Sequence, residues 1–431
     1  MIQAKLLLAL LGFRLLTVFF VQTAFVPDEI WQSIEVAHKW AYGYGALTWE
    51  WQPNVALRSP FHPLLFTLLY KIGNWLRVDS HLFIIYAPRV VHALLAAVAD
   101  FHLYKLARML SGSAVSKWAL FHQLINWLTV FCAPRTLSNN LEWSLSIIAL
   151  AHYPWRSLGL RNNHSSGSTV FICLAVTCVL IRPTALVIWA PLSGIHLLLP
   201  LLNESKTPGS RFRLAKLGPF LAVFLRYALT SCVLLLFSIL LDRWAFGRWT
   251  MNQWNFVRFN LLTGGSQFYG THPWHWYLTQ GLPVMLFTQL PFLLVGIYAL
   301  LTHTVGFMYS GVPSSLPSKI LLGVCFWTVV CYSALSHKEF RFLFSLLPIL
   351  FYICGIGSVY ILSRKHTRLR HAYLIGFLLC TQVPVMIYTC LIHQRGTLDA
   401  MHSIRNTISH QSLQDVEILV LMPCHSVPST G

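Results

Sequence analysis

Acidic residues are scarce in this chain: 13 Asp and Glu among 431 residues, against 31 Lys and Arg. Charged residues of both signs make up only 10% of it, 56% is hydrophobic, and the mean hydropathy is +0.60. Soluble domains carry about 25% charged residues, so this scarcity excludes a soluble protein and indicates an all-α, polytopic membrane protein. The formal charge of +18 would suit a nucleic-acid binder, but the basic residues recur in short loops between apolar runs. That is the positive-inside pattern, so no nucleic-acid partner is expected. No CxxC pair exists, and the ten cysteines are dispersed, mostly within apolar runs. They read as small buried hydrophobes rather than a disulfide framework or a metal site. Also missing are Asp-x-Asp, GxxxxGK[ST] and HExxH. A phosphate-linked donor handled by basic side chains fits this inventory better than a nucleotide sugar held through a divalent ion, so no metal and no other cofactor is expected.

About eleven spans of roughly 20 residues can be drawn. They lie near 5–24, 80–104, 115–133, 137–154, 168–184, 185–202, 218–241, 281–302, 319–335, 342–362 and 372–391. The first is long enough to cross and no small-residue cleavage motif follows it, so it is expected to be a retained span. Loops holding Lys105/Arg108/Lys117, Arg156/Arg161, Lys206/Arg211/Arg213/Lys216, Lys319 and Arg364/Lys365/Arg368/Arg370 alternate with the others. One face is therefore basic and cytoplasmic by expectation. Both sequons, at Asn163 and Asn203, fall on that side and should stay unglycosylated.

The opposite face collects the unusual residues. Four of the 13 acids (Asp28, Glu29, Glu35 and Glu50) fall between Pro27 and Ser59, just past the first span. Asp28, Gln32, Glu35 and Lys39 share one helical face while Ile30, Ile34, Ala37 and Ala41 share another. This predicts an amphipathic helix along the membrane surface with its polar ridge exposed. Carboxylates beside Tyr42, Trp49 and Trp51 suit a sugar-handling site.

On the same face, His337-Lys338-Glu339-Phe340-Arg341 joins two spans with almost no loop. A single basic pair there would be an ordinary snorkelling anchor, but three cations with one carboxylate suit a phosphate. Arg135 and Arg182, at neighbouring span ends, complete the candidate anion pocket. The aromatic loop 242–280 is denser than a membrane belt requires and reads as a lid or trough for lipid and sugar. His272 and His275 lack further ligands at suitable spacing, so they are not expected to bind metal.

The segments PDEIWQSIEVAH (27–38), GYGALTWEW (43–51), LRS (57–59), RTLSN (135–139), RPTA (182–185) and SHKEFR (336–341) resemble the endoplasmic-reticulum mannosyltransferases that use dolichyl-phosphate mannose. NFVRFN (255–260), FYGTHPWHWYLTQGLPV (268–284), HQRGTLD (393–399) and LMPCHS (421–426) resemble the members that extend the GPI-anchor precursor. The resemblance implies a GT-C fold of glycosyltransferase family 22. It also implies a multi-pass endoplasmic-reticulum protein with a lumenal site, partnered by dolichyl-phosphate mannose and the GPI glycolipid precursor. The activity implied is inverting, metal-independent transfer of the third mannose, α1,2-linked, onto the second. Carried over, the PDE motif puts the acid/base at Asp28 with Glu29 beside it, and the HKE motif puts donor phosphate near His337, Lys338 and Arg341. Gln32, Glu35, Trp49, Glu50, Arg58, His272, Trp274, His275, Trp276, His393 and Arg395 are the candidates for substrate contact.

The expected organisation is a transmembrane mannosyltransferase domain over 1–391, containing a catalytic loop at 26–60 and the aromatic loop at 242–280. A lumenal segment follows over 392–431, shorter than the family's usual C-terminal region. The alternatives are a sister enzyme acting on the dolichol-linked N-glycan precursor, an inactive truncated form, and a transporter. A transporter predicts internal repeats and mid-span charges. No convincing repeat is present, and Asp100 and Glu142 are the best candidates for buried acids.

Overall fold

The computed structural model describes residues 2–158, 168–202, 211–302, 315–363 and 368–411, in which there are helices and turns but no strand. Both sequons, the basic-loop residues Arg161, Lys206, Arg364 and Lys365, and LMPCHS lie outside these residues. The first half contains α1 (Ile2–Phe20), α2 (Glu35–Tyr42), α3 (Phe61–Trp75), α4 (His81–Ile125), α5 (Trp127–Cys132), α6 (Ser138–His152), α7 (Ser168–Ile181) and α8 (Leu186–Leu202). The second contains α9 (Arg211–Phe246), α10 (Asn252–Val257), α11 (Leu282–Leu286), α12 (Leu290–Leu301), α13 (Leu316–Ser333), α14 (Leu347–Ser363), α15 (Arg368–Leu391) and α16 (Gly396–Gln411).

Eight helical segments among the described residues are long and apolar enough to cross a membrane. The difference from eleven is instructive. The spans expected at 80–104 and 115–133 both lie in α4, which Gly112, with a φ of +81° that suits a residue without a Cβ, divides into two helices; Gln123 donates to Asp100 between them, so the chain folds back there. Lys105, Arg108 and Lys117 therefore flank the turn between the two helices, as the alternation of loops expects, with one glycine in place of a loop. The expected spans at 137–154 and 168–184 are α6 and α7, with 15 and 14 residues. Pro183 separates α7 from α8 by opening a 3-10 turn, since it cannot donate to the preceding turn. Helix α3 was not foreseen.

At the centre stands α14, whose residues from Leu347 to Ser358 are all buried, whereas α9 is buried only at Ser238, Leu241, Asp242 and Phe246 among its described side chains. Small residues let its neighbours approach. A Cβ on Gly296 would lie 2.1 Å from the Ile353 carbonyl, and one on Gly357 would lie 2.1 Å from that of Phe292. Gly355 meets α4 at Val115 and Ala119. Within a bilayer this close packing takes over from the hydrophobic effect as the force between helices. Asp100 is fully buried but held by Arg14 at 2.7 and 3.0 Å, the pairing an intramembrane acid requires. All nine described cysteines are free, and five are buried.

The segment after α1 departs from the expected ridge. A π-type turn at Ile30–Ile34 precedes α2, and its wider winding changes the phase of the residues that follow. Ala37 packs with Phe66 and Tyr70 of α3, and Ile34 and Ala41 join them, as the apolar stripe requires. The polar ridge is not exposed, however: Glu35 is fully buried and Gln32 half-buried. The reason is that the segment is covered by protein on both faces.

Candidate active site

Asp28 and Glu29 are adjacent in sequence but serve opposite sides. Successive residues of a helical turn point about 100° apart, and here the two carboxylates diverge. Asp28 lines a cavity of about 720 Å³ and accepts a hydrogen bond from Arg341 Nη1 at 2.5 Å. Glu29 turns into the protein, where Arg135 Nη1 lies 2.7 Å and Arg89 Nη2 3.6 Å from its oxygens. Arg135 is fully buried, donates also to Thr23 Oγ1 and the Phe131 carbonyl, and does not reach the cavity.

One cavity wall is the HKEFR turn. Glu339 Oε2 lies 2.6 Å from Arg341 Nε, and Oε1 accepts from Arg341 Nη2 at 2.7 Å. The same Oε1 is 3.0 Å from His337 Nε2. Burial opposes charge on Glu339, but the His337 bond and the Arg341 charge outweigh it and bring its pKa down to about 2. The bond to Glu339 raises His337. Lys338 points the other way: its Nζ donates to the carbonyls of His272 (2.9 Å) and Leu335, and burial lowers its pKa.

The facing wall comes from the 3-10 turn Trp49–Trp51. Glu50 accepts from Arg58 Nη2 at 2.6 Å and from Gln32 Nε2 at 3.1 Å. Burial works against the Arg58 charge, yet Glu50 and Asp28 raise its pKa. Trp49 packs on Phe259, ring centres 5.4 Å apart, with 41% of its surface exposed. Arg182 Nε lies 2.9 Å from Glu142, which also accepts from Ser345. Phe256, Asn260 and Tyr269 of the aromatic loop supply the roof.

The remaining lining is apolar, from Leu186, Val187 and Ala190 of α8 and Trp327 and Cys331 of α13. Leu186 is 55% and Trp327 50% exposed, so the cavity reaches the outer surface of the helix bundle between these two helices. Trp327 Nε1 donates to the Val187 carbonyl at 3.1 Å across the opening.

Of the residues proposed from sequence, Asp28, Gln32, Trp49, Glu50, Arg58, Arg182, His337 and Arg341 meet at this cavity. Glu29, Glu35, Arg135 and Lys338 are buried beside it. His272, Trp274 and His275 are exposed outside it, and Trp276 stacks between His272 and Phe340. Their loop braces the HKE turn instead: His272 N donates to the Ser336 carbonyl, and His337 Nδ1 meets the Gly270 carbonyl. His393 and Arg395 are exposed on the same end of the bundle, where Ala24 N donates to the Gln394 carbonyl. Glu339, Tyr269 and Asn260 line the cavity without having been singled out. Glu339 had a signal, as the one acid among three cations; Tyr269 and Asn260 had none beyond their motifs. Among the described residues no three His, Cys, Asp or Glu side chains cluster as a metal site would.

Comparison with known proteins agrees with this geometry. The profile of the Alg9-like mannosyltransferase family matches residues 5–431. GPI alpha-1,2-mannosyltransferase 3 of Xenopus laevis is 40% identical over 98% of this chain and 71% of its own length. The Homo sapiens protein of the same name is also 40% identical, over 98% of this chain and 69% of its own. Among solved structures, ArnT from Cupriavidus metallidurans bound to undecaprenyl phosphate superposes with a TM-score of 0.55, covering 99% of this chain and 83% of ArnT. At 11% identity, that likeness establishes the GT-C fold alone.

Proposed function

This chain belongs to the Alg9-like mannosyltransferase family and is a GPI alpha-1,2-mannosyltransferase by its relatives, and we propose that the cavity transfers the third mannose from dolichyl-phosphate mannose to the second mannose of the GPI precursor. On this reading the cavity faces the endoplasmic-reticulum lumen. The attacking 2-hydroxyl gives its proton to Asp28 as its oxygen bonds the anomeric carbon. The bond from that carbon to the phosphate oxygen breaks, and its electron pair leaves with dolichyl phosphate, inverting the configuration. Arg341 and His337, with Arg182 nearby, stabilise the departing phosphate, so side-chain cations fill the role a metal would otherwise play. Glu50, Arg58 and Gln32 present a paired donor and acceptor surface for sugar hydroxyls beside the exposed face of Trp49. The donor's polyprenyl chain leaves between α8 and α13. A polyprenyl phosphate bound to a protein of the same fold supports the donor class.

The observation that supports this reading most is the 2.5 Å contact of Asp28 with Arg341, a carboxylate and a guanidinium side by side at the cavity. The test is expression of this chain, and of its Asp28→Asn and Arg341→Gln variants, in cells lacking the GPI alpha-1,2-mannosyltransferase, with the lipid-linked intermediates separated and identified. Conversion of the two-mannose intermediate by the parent and by neither variant is expected. Conversion by Asp28→Asn at the parent rate removes Asp28 as the base.

A further inference from the structure

We infer that Asp28 and the donor phosphate compete for one edge of the Arg341 guanidinium, and that Glu339 is the positioning residue that keeps this edge turned into the cavity. Donor binding is then what frees the base. The inference rests on the reading of Arg341 as a donor-phosphate ligand.

A guanidinium offers five N–H donors in a rigid plane, arranged as a side edge (Nε and one Nη) and an end edge (both Nη). Glu339 holds the side edge: Oε1 accepts from Nη2 at 2.7 Å, and Oε2 lies 2.6 Å from Nε as an ion pair. Its Oε1 also meets His337 Nε2, so one carboxylate holds both cations in a fixed relation. The end edge is left facing the cavity, with the fork geometry that two phosphate oxygens match. Asp28 Oδ2 already occupies part of that edge, on Nη1. An oxygen directed at Nη1 is not directed at a sugar hydroxyl. When a phosphate takes the end edge, Asp28 is displaced while remaining beside the same guanidinium and hence beside the bound donor.

This arrangement is particular to Arg341. Of the three arginines that line the cavity, Arg58 pairs with Glu50 and Arg182 with Glu142, whereas Arg341 bridges two carboxylates. His337 and Arg341 hold Glu339 ionised at neutral pH, which keeps it available to both cations. Without it, the guanidinium has only Asp28 to bind and swings onto the base.

The test is equilibrium binding of a short-chain polyprenyl monophosphate to the purified full chain in lipid nanodiscs. Asp28 and Asn have the same shape and Asp28 is partly solvent-exposed, so Asp28→Asn keeps the fold. It should bind the probe about fivefold more tightly than the parent, the scale of one partly exposed ion pair. Glu339→Gln should bind it more weakly, and adding Asp28→Asn to Glu339→Gln should recover the loss, which a merely structural role for Glu339 would not allow. Asp28→Asn binding no tighter than the parent overturns the competition. Failure of the double variant to recover overturns the positioning role. Arg341→Gln binding as well as the parent overturns the donor-site reading and this inference with it. Arg341→Gln binding weakly, with Asp28→Asn unchanged, leaves the donor site standing and removes only the competition.

Discussion

Glu29 and Arg135 lie 2.7 Å apart inside the protein, and Arg135 is entirely shielded from solvent. Removing one member of such a pair strands a buried charge, at a cost of about 3–5 kcal/mol. Glu29→Ala should therefore melt at a markedly lower temperature in detergent and accumulate poorly. Asp28→Asn should melt like the parent while losing turnover. Thermal melting of the two variants side by side separates the neighbours; equal melting temperatures would contradict this assignment.

Arg182 and Glu142 make a second pair, at 2.9 Å, in which the acid is buried and Ser345 completes its contacts. Arg182→Met alone should destabilise the protein by several kcal/mol, on the same reasoning. Arg182→Met with Glu142→Leu should regain most of that stability and still transfer mannose poorly, because the cavity has lost a cation. A double variant as unstable as the single one would show that the pair is not the source of the loss.

His337 gives the site a pH dependence. Glu339 raises its pKa above the ordinary 6.5, so the imidazolium persists where a free histidine has lost its proton. Its contribution to folding and to holding phosphate is complete below 6.5 and fades as pH rises through the elevated value. The donor KM should climb over that alkaline range, and His337→Gln should flatten the climb. A donor KM that is constant from pH 6 to about pH 9 in the parent would remove His337 from phosphate binding.

Helix packing offers a prediction remote from chemistry. Gly357→Ala would push a Cβ to 2.1 Å from the Phe292 carbonyl, with backbone on the other side that cannot step back. Loss of the folded protein is expected, measured by monodispersity after detergent extraction. Gly323→Ala, where a Cβ meets nothing within 4 Å, should be neutral. A monodisperse Gly357→Ala protein would mean that α12 and α14 tolerate separation.

The sequence made the members of the site legible through their motifs, and the structure brings residues 28, 50, 58, 182, 337 and 341 to one cavity. It could not show which members of a motif face inward. Glu29, Arg135 and Lys338 belong to the same motifs as Asp28 and Arg341, and only backbone direction sends them elsewhere. Glu35 misled because a one-residue widening at Ile30–Ile34 is invisible to a fixed helical period. The charges at 105–117 did mark a reversal between two spans, but a single glycine makes it and no loop is needed. His272 and His275 drew attention by composition, whereas their segment acts through backbone groups that no side-chain pattern records.

The opening between α8 and α13 changes what concentration means for this enzyme. Its apolar flanks, Leu186 and Trp327, are exposed on the surface that acyl chains cover, so reactants on the proposed reading arrive sideways, by diffusion within a sheet of lipid. Turnover then follows the number of donor molecules per hundred lipids and not the amount per litre. Adding inert phospholipid to a fixed assay volume should slow the reaction, and adding buffer should leave it unchanged.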